Sequence, residues 1–208
     1  FRFASCKWNL VFYTMTFDAT QPYNELPLLP PSNKAWESVE LYKKLAEARS
    51  ALAELKGRLP VIPNPLMLIN TLVLQEAKDS STIENIVTSS DQLYKAFSSP
   101  KASAEPATKE VLRYREALWK AFTSLKRRED LSVDLVVDVF KTISEKKEGI
   151  RDRQVWIKSA SKIVYTPPES GKVLKQTMNN WFEVALARNG IDPLIKMAML
   201  HYQFEAIH

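Results

Sequence analysis

Twelve prolines and only four glycines restrict the architectures open to this chain. Eleven of the twelve are bunched, at Pro22, Pro27, Pro30 and Pro31, at Pro60, Pro63 and Pro65, at Pro100 and Pro106, and at Pro167 and Pro168. Proline fixes φ and donates no backbone hydrogen bond, so it interrupts helix interiors and central strands. The bunches therefore act as punctuation, and regular elements belong in the long proline-free stretches between them. So few glycines argue against an all-β fold with many tight turns and against a dinucleotide fold built on a glycine-rich loop. At 208 residues the chain suits one ordinary domain or two small ones.

The periodicity between the bunches is mostly helical. Residues 22–33, PYNELPLLPPSN, read as an extended arm over the body of the protein, pinned by Tyr23, Leu26, Leu28 and Leu29. Trp36, Val39, Tyr42, Leu45, Ala46 and Leu52 then form one stripe on an amphipathic helix, expected to be buried, with Gly57 ending it and Pro60 confirming the stop. A second helix begins at Asn64-Pro65, with proline at a first helical position. The segment SSTIENIVTSSDQLYKAF reads as a short helix, a turn and a further helical segment. Residues 98–108 are the best candidate boundary. Beyond them lie two helix stripes: Val111, Tyr114, Leu118 and Phe122, then Leu135, Val136, Val139, Phe140 and Ile143 behind a Ser132 cap. RQVWIK and SKIVYT alternate with period two around Ser159-Ala160 and predict a β-hairpin. Two helices close the chain, at 170–187 and 192–208, the second capped by Asp192 with Pro193 following. The fold class is mainly α, a helical bundle with one small hairpin.

Composition excludes several functions. A net charge of +5 is too modest to imply nucleic acid, and the basic run Lys126-Arg127-Arg128 meets Glu129-Asp130 at once, as suits a solvated helix end. One cysteine, Cys6, excludes a disulfide framework and a cysteine-based zinc site. No apolar run is long enough to span a bilayer, which takes about 18 residues. With no secretion signal in view, the expected compartment is the cytoplasm, and no membrane partner is expected. Five of residues 1–14 are aromatic and none is methionine, so this stretch reads as an upstream or non-native extension, with Met15 as the start.

Both histidines fall in the last eight residues, HYQFEAIH. Leu194, Met197, Ala198, His201, Phe204, Glu205 and His208 share much of one helix face. His201 and His208 are two turns apart, about 10 Å along the axis, too far to share a metal ion. On that face His201 reads as a partly buried helix histidine. Three stretches resemble the Fic/DOC family. DPLIKMAMLHYQFEAIH resembles the helix leading into that family's signature loop, His-Pro-Phe-x-Asp/Glu-Gly-Asn-Gly-Arg, with His208 on its first residue. GIRDRQVWIKSASKIVYTPP resembles the family's flap, an edge hairpin that pairs with the backbone of a target protein. SSTIEN fits the inhibitory pattern Ser/Thr-x-x-x-Glu-Gly/Asn as Ser80, Glu84 and Asn85. The arm PYNELPLLPP and ATKEVLRYREALW fit the subclass whose inhibitory helix lies in an N-terminal helical domain. The resemblance divides the chain into an extension, 1–14, an N-terminal helical domain, 15–100, and an incomplete Fic core, 101–208.

The resemblance implies a protein adenylyltransferase that moves AMP from ATP to a Tyr, Thr or Ser hydroxyl of a target protein, with self-modification and a homodimer among the expected behaviours. It implies that His208 is the catalytic base and belongs to the nucleotide site, a role suited to an imidazole near neutral pH. Glu84 is implied to reach the nucleotide site as an inhibitor, pairing with an arginine that would otherwise bind the γ-phosphate, while Ser80 and Asn85 brace the segment that presents it. Lys162, Ile163, Val164, Tyr165 and Thr166 are implied to dock the target strand. No metal ligand is assigned within these residues. The Mg²⁺ ligand, the phosphate-approaching glycines and the arginines belong to the signature loop, whose text is absent after His208. The polypeptide as written is accordingly expected to be inactive, with the last carbonyls of its final helix uncapped and apolar area exposed. The competing class is a non-catalytic helical module that docks partners through the arm and hairpin.

Overall fold

The structure is a computed structural model, and it describes residues 18–32, 36–83, 86–98, 105–127, 131–144 and 149–207. The segment 1–14, together with Glu84, Asn85 and His208, lies outside the described residues. Among the described residues the chain is mainly α, with seven α-helices and a single two-stranded antiparallel hairpin. These are α1 (Val39–Arg58), α2 (Pro65–Ile83), α3 (Ser90–Ser98), α4 (Pro106–Lys126), α5 (Val133–Ser144), β1 (Ile157–Ser159), β2 (Lys162–Tyr165), α6 (Lys172–Leu186) and α7 (Pro193–Ile207). The described residues group into two compact units, one within residues 55–150 and one of residues 18–54 with 151–207.

In the first unit, α2 starts where Asn64 caps it. Its Oδ1 accepts from the Met67 N–H at 3.0 Å, and Pro65 stands first in the helix, where no N–H is needed. The core is Leu74 and Ala77 of α2, Leu93 of α3 and Val111 of α4, with Leu112 and Tyr114 packed against it. Thr88 and Thr108 share a buried hydroxyl–hydroxyl bond of 2.7 Å, so each satisfies the other. Ser132 caps α5 through a 3.2 Å bond from the Leu135 N–H. Arg113 Nε donates to the Ile143 carbonyl at 3.0 Å, close to the end of α5. α3 and α4, which flank residue 100, both belong to this unit and pack on one core.

In the second unit the arm is extended, as its prolines require, and its backbone is paired by side chains. Asn180 of α6 accepts from the Leu29 N–H at 2.8 Å and donates to the Leu29 carbonyl at 2.9 Å. Gln203 of α7 donates to the Pro27 carbonyl at 3.1 Å, and the Tyr23 N–H bonds the Thr166 carbonyl at 3.0 Å. Leu26 and Leu29 are buried, while Leu28 is 48% exposed. α6 and α7 lock through Trp181, whose indole N–H donates to the Leu200 carbonyl at 2.8 Å and whose ring lies 5.7 Å from Phe204. Gly190 has φ +74°, a left-handed conformation that suits glycine in the link from α6 to α7.

Three sequence expectations are corrected. The α1 stripe is not buried: α1 has no buried residue, and Val39, Tyr42 and Leu52 are 74%, 47% and 50% exposed. Periodicity creates a face that can bury, but burial needs an opposing surface, and within α1 only Leu41 and Leu45 are intermediate in burial while the other positions are exposed. Gly57 lies inside α1, which continues to Arg58 before a short 3₁₀ turn over Leu59–Val61 that contains Pro60. On α7 the buried face carries Ile195, Gln203 and Ile207, while Met197, His201, Phe204 and Glu205 point outward. His201 is therefore an exposed residue, not a partly buried one.

The Asn180 bonds should dominate the arm's attachment. Asn180→Ala leaves the Leu29 N–H and carbonyl unpaired and is expected to lower unfolding stability by about 1–3 kcal/mol. Its exposed neighbour Asn179→Ala should change it by no more than about 0.5 kcal/mol. Urea denaturation of both variants tests this, and equal midpoints would show that the arm is not held through Asn180.

Candidate functional site

The residues singled out by sequence lie on two stretches: the end of α2, and the end of α7 with its hairpin. At the first, Ser80 and Ser81 are in the last turns of α2, which runs through Ile83. SSTI is thus the end of a long helix rather than the start of a short one. Ser80 Oγ donates to Glu76 Oε1 at 3.1 Å, back along its own helix. Ser81 is buried, and its carbonyl accepts from the Ile86 N–H at 2.9 Å, tying the helix end to the segment beyond residues 84–85. Ser80 therefore points toward the helix body, and the contact spanning the candidate inhibitory segment is made by Ser81, which the sequence pattern does not include.

α7 is fixed at its start, middle and end. At the start, Asp192 Oδ1 accepts from the Leu194 N–H at 2.9 Å as an N-cap, and Asp192 Oδ2 pairs with Arg49 of α1, whose Nε is 2.6 Å away. Desolvation works to raise this carboxyl, but the Leu194 N–H and the Arg49 guanidinium outweigh it and hold its pKa below the ordinary aspartate value. In the middle, the fully buried Gln203 reaches the arm, and its Nε2 also stands 3.5 Å from Asn180 Oδ1.

At the end of α7 the carbonyls expected to lack partners are met from the hairpin region. The Tyr165 hydroxyl donates to the Ala206 carbonyl at 2.8 Å, and Arg151 Nη2 donates to the Ile207 carbonyl at 3.2 Å. A cation there also opposes the negative end of the helix dipole. Burial, reinforced by Tyr202 and Tyr23 and opposed by Arg151, pushes the Tyr165 phenol well above its ordinary pKa, so it stays a protonated donor near neutral pH. Arg151 is lowered by burial, yet arginine starts so high that it remains a cation.

The hairpin pairs Ile157 with Tyr165, Lys158 with Ile163 and Ser159 with Lys162, with an irregularity between Ile157 and Lys158. Ala160, at φ 53°, opens the two-residue turn between β1 and β2, among the small residues around Ser159-Ala160 where the turn was expected. Of the five candidate docking residues, Lys162 and Val164 are exposed, Ile163 and Tyr165 half-buried and Thr166 buried. Thr166 is already engaged: its hydroxyl donates to the Ala19 carbonyl at 2.6 Å and its own carbonyl holds Tyr23. Among the described residues the sheet has no third strand. Nor does any group of three or more His, Cys, Asp or Glu side chains among them have the arrangement to hold a metal ion. No helix among them is long and apolar enough to cross a membrane.

Residues 42–123 match the family model described as Fic/DOC family N-terminal, a span that includes α2, α3, most of α1 and α4, and the segment Ser80–Asn85. The chain therefore carries a segment similar to the N-terminal region of Fic/DOC family proteins. The match belongs to the N-terminal part of that family, and α6, α7 and the hairpin lie beyond it. Sequence reasoning missed Arg151, Gln203 and Asn180. Arg151 lies between α5 and β1, where the sequence has no periodic pattern. Gln203 carried a readable signal, the one amide of α7, four residues from both Met199 and Ile207.

The Asp192 clasp has a pH signature. Its folded pKa is depressed, so its stabilisation is complete above the unfolded aspartate value, about 3.9, and is lost as pH falls through the lower folded value. Asp192→Asn should therefore lower the melting temperature at pH 6, and the gap from the unsubstituted protein should close in acid as the pH falls through the folded value. A gap independent of pH would remove the carboxylate from this role.

Proposed function

We propose that this protein is a protein adenylyltransferase of the Fic/DOC family, in which α7 delivers the catalytic base and β2 presents the target. In this reading a target hydroxyl attacks the α-phosphate of ATP. His208 takes the hydroxyl proton, the new oxygen–phosphorus bond forms, and the bond to the β-phosphate breaks, releasing pyrophosphate. Transfer of this kind depends on alignment and charge neutralisation more than on covalent help from the protein. The observation that carries the reading is the Tyr165–Ala206 hydrogen bond, because it sets the candidate docking strand beside the turn that leads directly into residue 208. ATP is the nucleotide substrate. Mg²⁺ would neutralise phosphate charge when bound, and none of the described residues is assigned to it.

Glu84 is proposed as the inhibitory carboxylate, competing for an arginine that grips the outer phosphate. The family match supports this by covering residues 80–85. A second reading, a non-catalytic helical docking module, draws on the exposed Val39, Tyr42, Leu52 and Leu55 of α1.

Labelled ATP separates these readings. The chain, joined to the coding sequence that follows residue 208, is incubated with ATP labelled in the α-phosphate, Mg²⁺ and cell lysate. Incorporation of label into protein, abolished by His208→Ala, is the expected result, and its absence favours the docking module. Glu84→Gly should raise self-labelling by about tenfold or more, the scale of one lost charge-assisted contact. Unchanged labelling removes Glu84 from the inhibitory role.

A further inference from the structure

The last carbonyls of a helix find no partner within it, so whatever satisfies them also fixes where the helix end lies. At the end of α7 the partners come from both sides of the hairpin. Arg151 Nη2 bonds the Ile207 carbonyl at 3.2 Å and the Pro168 carbonyl at 2.5 Å, while its Nη1 bonds the Arg153 carbonyl at 3.3 Å. Residue 153 precedes β1 and residue 168 follows β2, so one guanidinium joins both roots of the hairpin to the helix end. Gln154 Nε2 closes the same root by bonding the Pro167 carbonyl at 2.9 Å. Tyr165, the last residue of β2, bonds the Ala206 carbonyl at 2.8 Å. The turn at Ala160 and Ser161 is exposed at the opposite end. The hairpin is thus fastened at its root, where β2 approaches α7.

We propose that Arg151 and Tyr165 are positioning residues for the transfer reaction, holding the target-docking strand and the end of α7 in fixed register so that the acceptor hydroxyl meets residue 208. This rests on the adenylyltransferase reading, with His208 as base and Lys162–Thr166 as the docking strand. The Ile207 carbonyl belongs to the amide that joins it to residue 208, so the Arg151 bond acts one covalent step from the base. Neither residue has proton chemistry to offer the reaction. The Tyr165 phenol is kept protonated by burial, and an arginine does not accept a proton. Their contribution is alignment, where a displacement of about 1 Å can slow a reaction by about 100-fold.

The test uses the chain joined to the coding sequence after residue 208, comparing Tyr165→Phe, Arg151→Lys and Arg151→Gln. Tyr165→Phe removes one hydroxyl. It should lower kcat for target labelling by about tenfold or more, with KM for ATP held within about twofold. Arg151→Lys keeps a charge and a donor, and should retain more activity than Arg151→Gln. Amide exchange in the peptide covering 203–207 should quicken about fivefold in Tyr165→Phe, as the loss of one net hydrogen bond requires. Unchanged kcat in folded Tyr165→Phe, with faster exchange, makes the contact purely structural and overturns the proposal. A rise in KM for ATP with kcat intact overturns it equally. If the unsubstituted protein transfers no AMP, the functional reading fails first and the proposal falls with it. Should the Arg151 variants not fold, Tyr165→Phe decides alone.

Discussion

A proline-rich segment cannot pair its own backbone in a helix and is poorly suited to a sheet, so it must borrow partners from elsewhere. The arm at residues 22–32 borrows them from α6, α7 and the strand end: Asn180 takes both polar groups of Leu29, Gln203 takes the Pro27 carbonyl, and Thr166 takes the Tyr23 N–H. These bonds bring the two C-terminal helices and the hairpin into register through a common strap. Because Gln203 is fully buried, its amide also sets which face of α7 turns inward. That choice leaves Met197, His201 and Phe204 outside and carries the end of the helix to Tyr165 and Arg151.

Much of this was legible before the structure. Proline bunches and periodic stripes located the helices, the change to period two located the hairpin, and Ser132 and Asp192 stood where N-caps belong. Such features are local, because a cap needs only the next three residues and a hairpin only its own turn. The inward face of α7 was not legible, since Leu194, Ile195, Met197, Met199 and Leu200 leave its first turns apolar nearly all round. The choice of face was made by a polar residue reaching a segment far earlier in the chain. The α1 stripe failed for the opposite reason: its pattern was clear, but no opposing surface covers it among the described residues.

The candidate site was read from resemblance, and its supports emerge only from the structure. Resemblance placed an inhibitory segment after α2 and a base after α7, and the family match covers the first of these. What holds the end of α7 came from Arg151, which no pattern marks. A guanidinium gathers carbonyls from segments distant in sequence, here at residues 153, 168 and 207, so its role exists only once they have been brought together. Ser80 shows the reverse: the motif marked it, yet its hydroxyl turns to Glu76 within its own helix.

The sparse covering of α1 gives this helix thermal behaviour of its own. Helices that bury little are marginal in water, even with favourable residues such as the alanines, leucines, lysines and glutamates of Val39–Arg58. Apart from the clasp of Arg49 on Asp192, little restrains its middle turns. Warming should therefore unwind α1 ahead of the tryptophan-packed pair α6 and α7. Far-ultraviolet ellipticity would decline gradually while the near-ultraviolet aromatic bands still report an intact Trp181 environment.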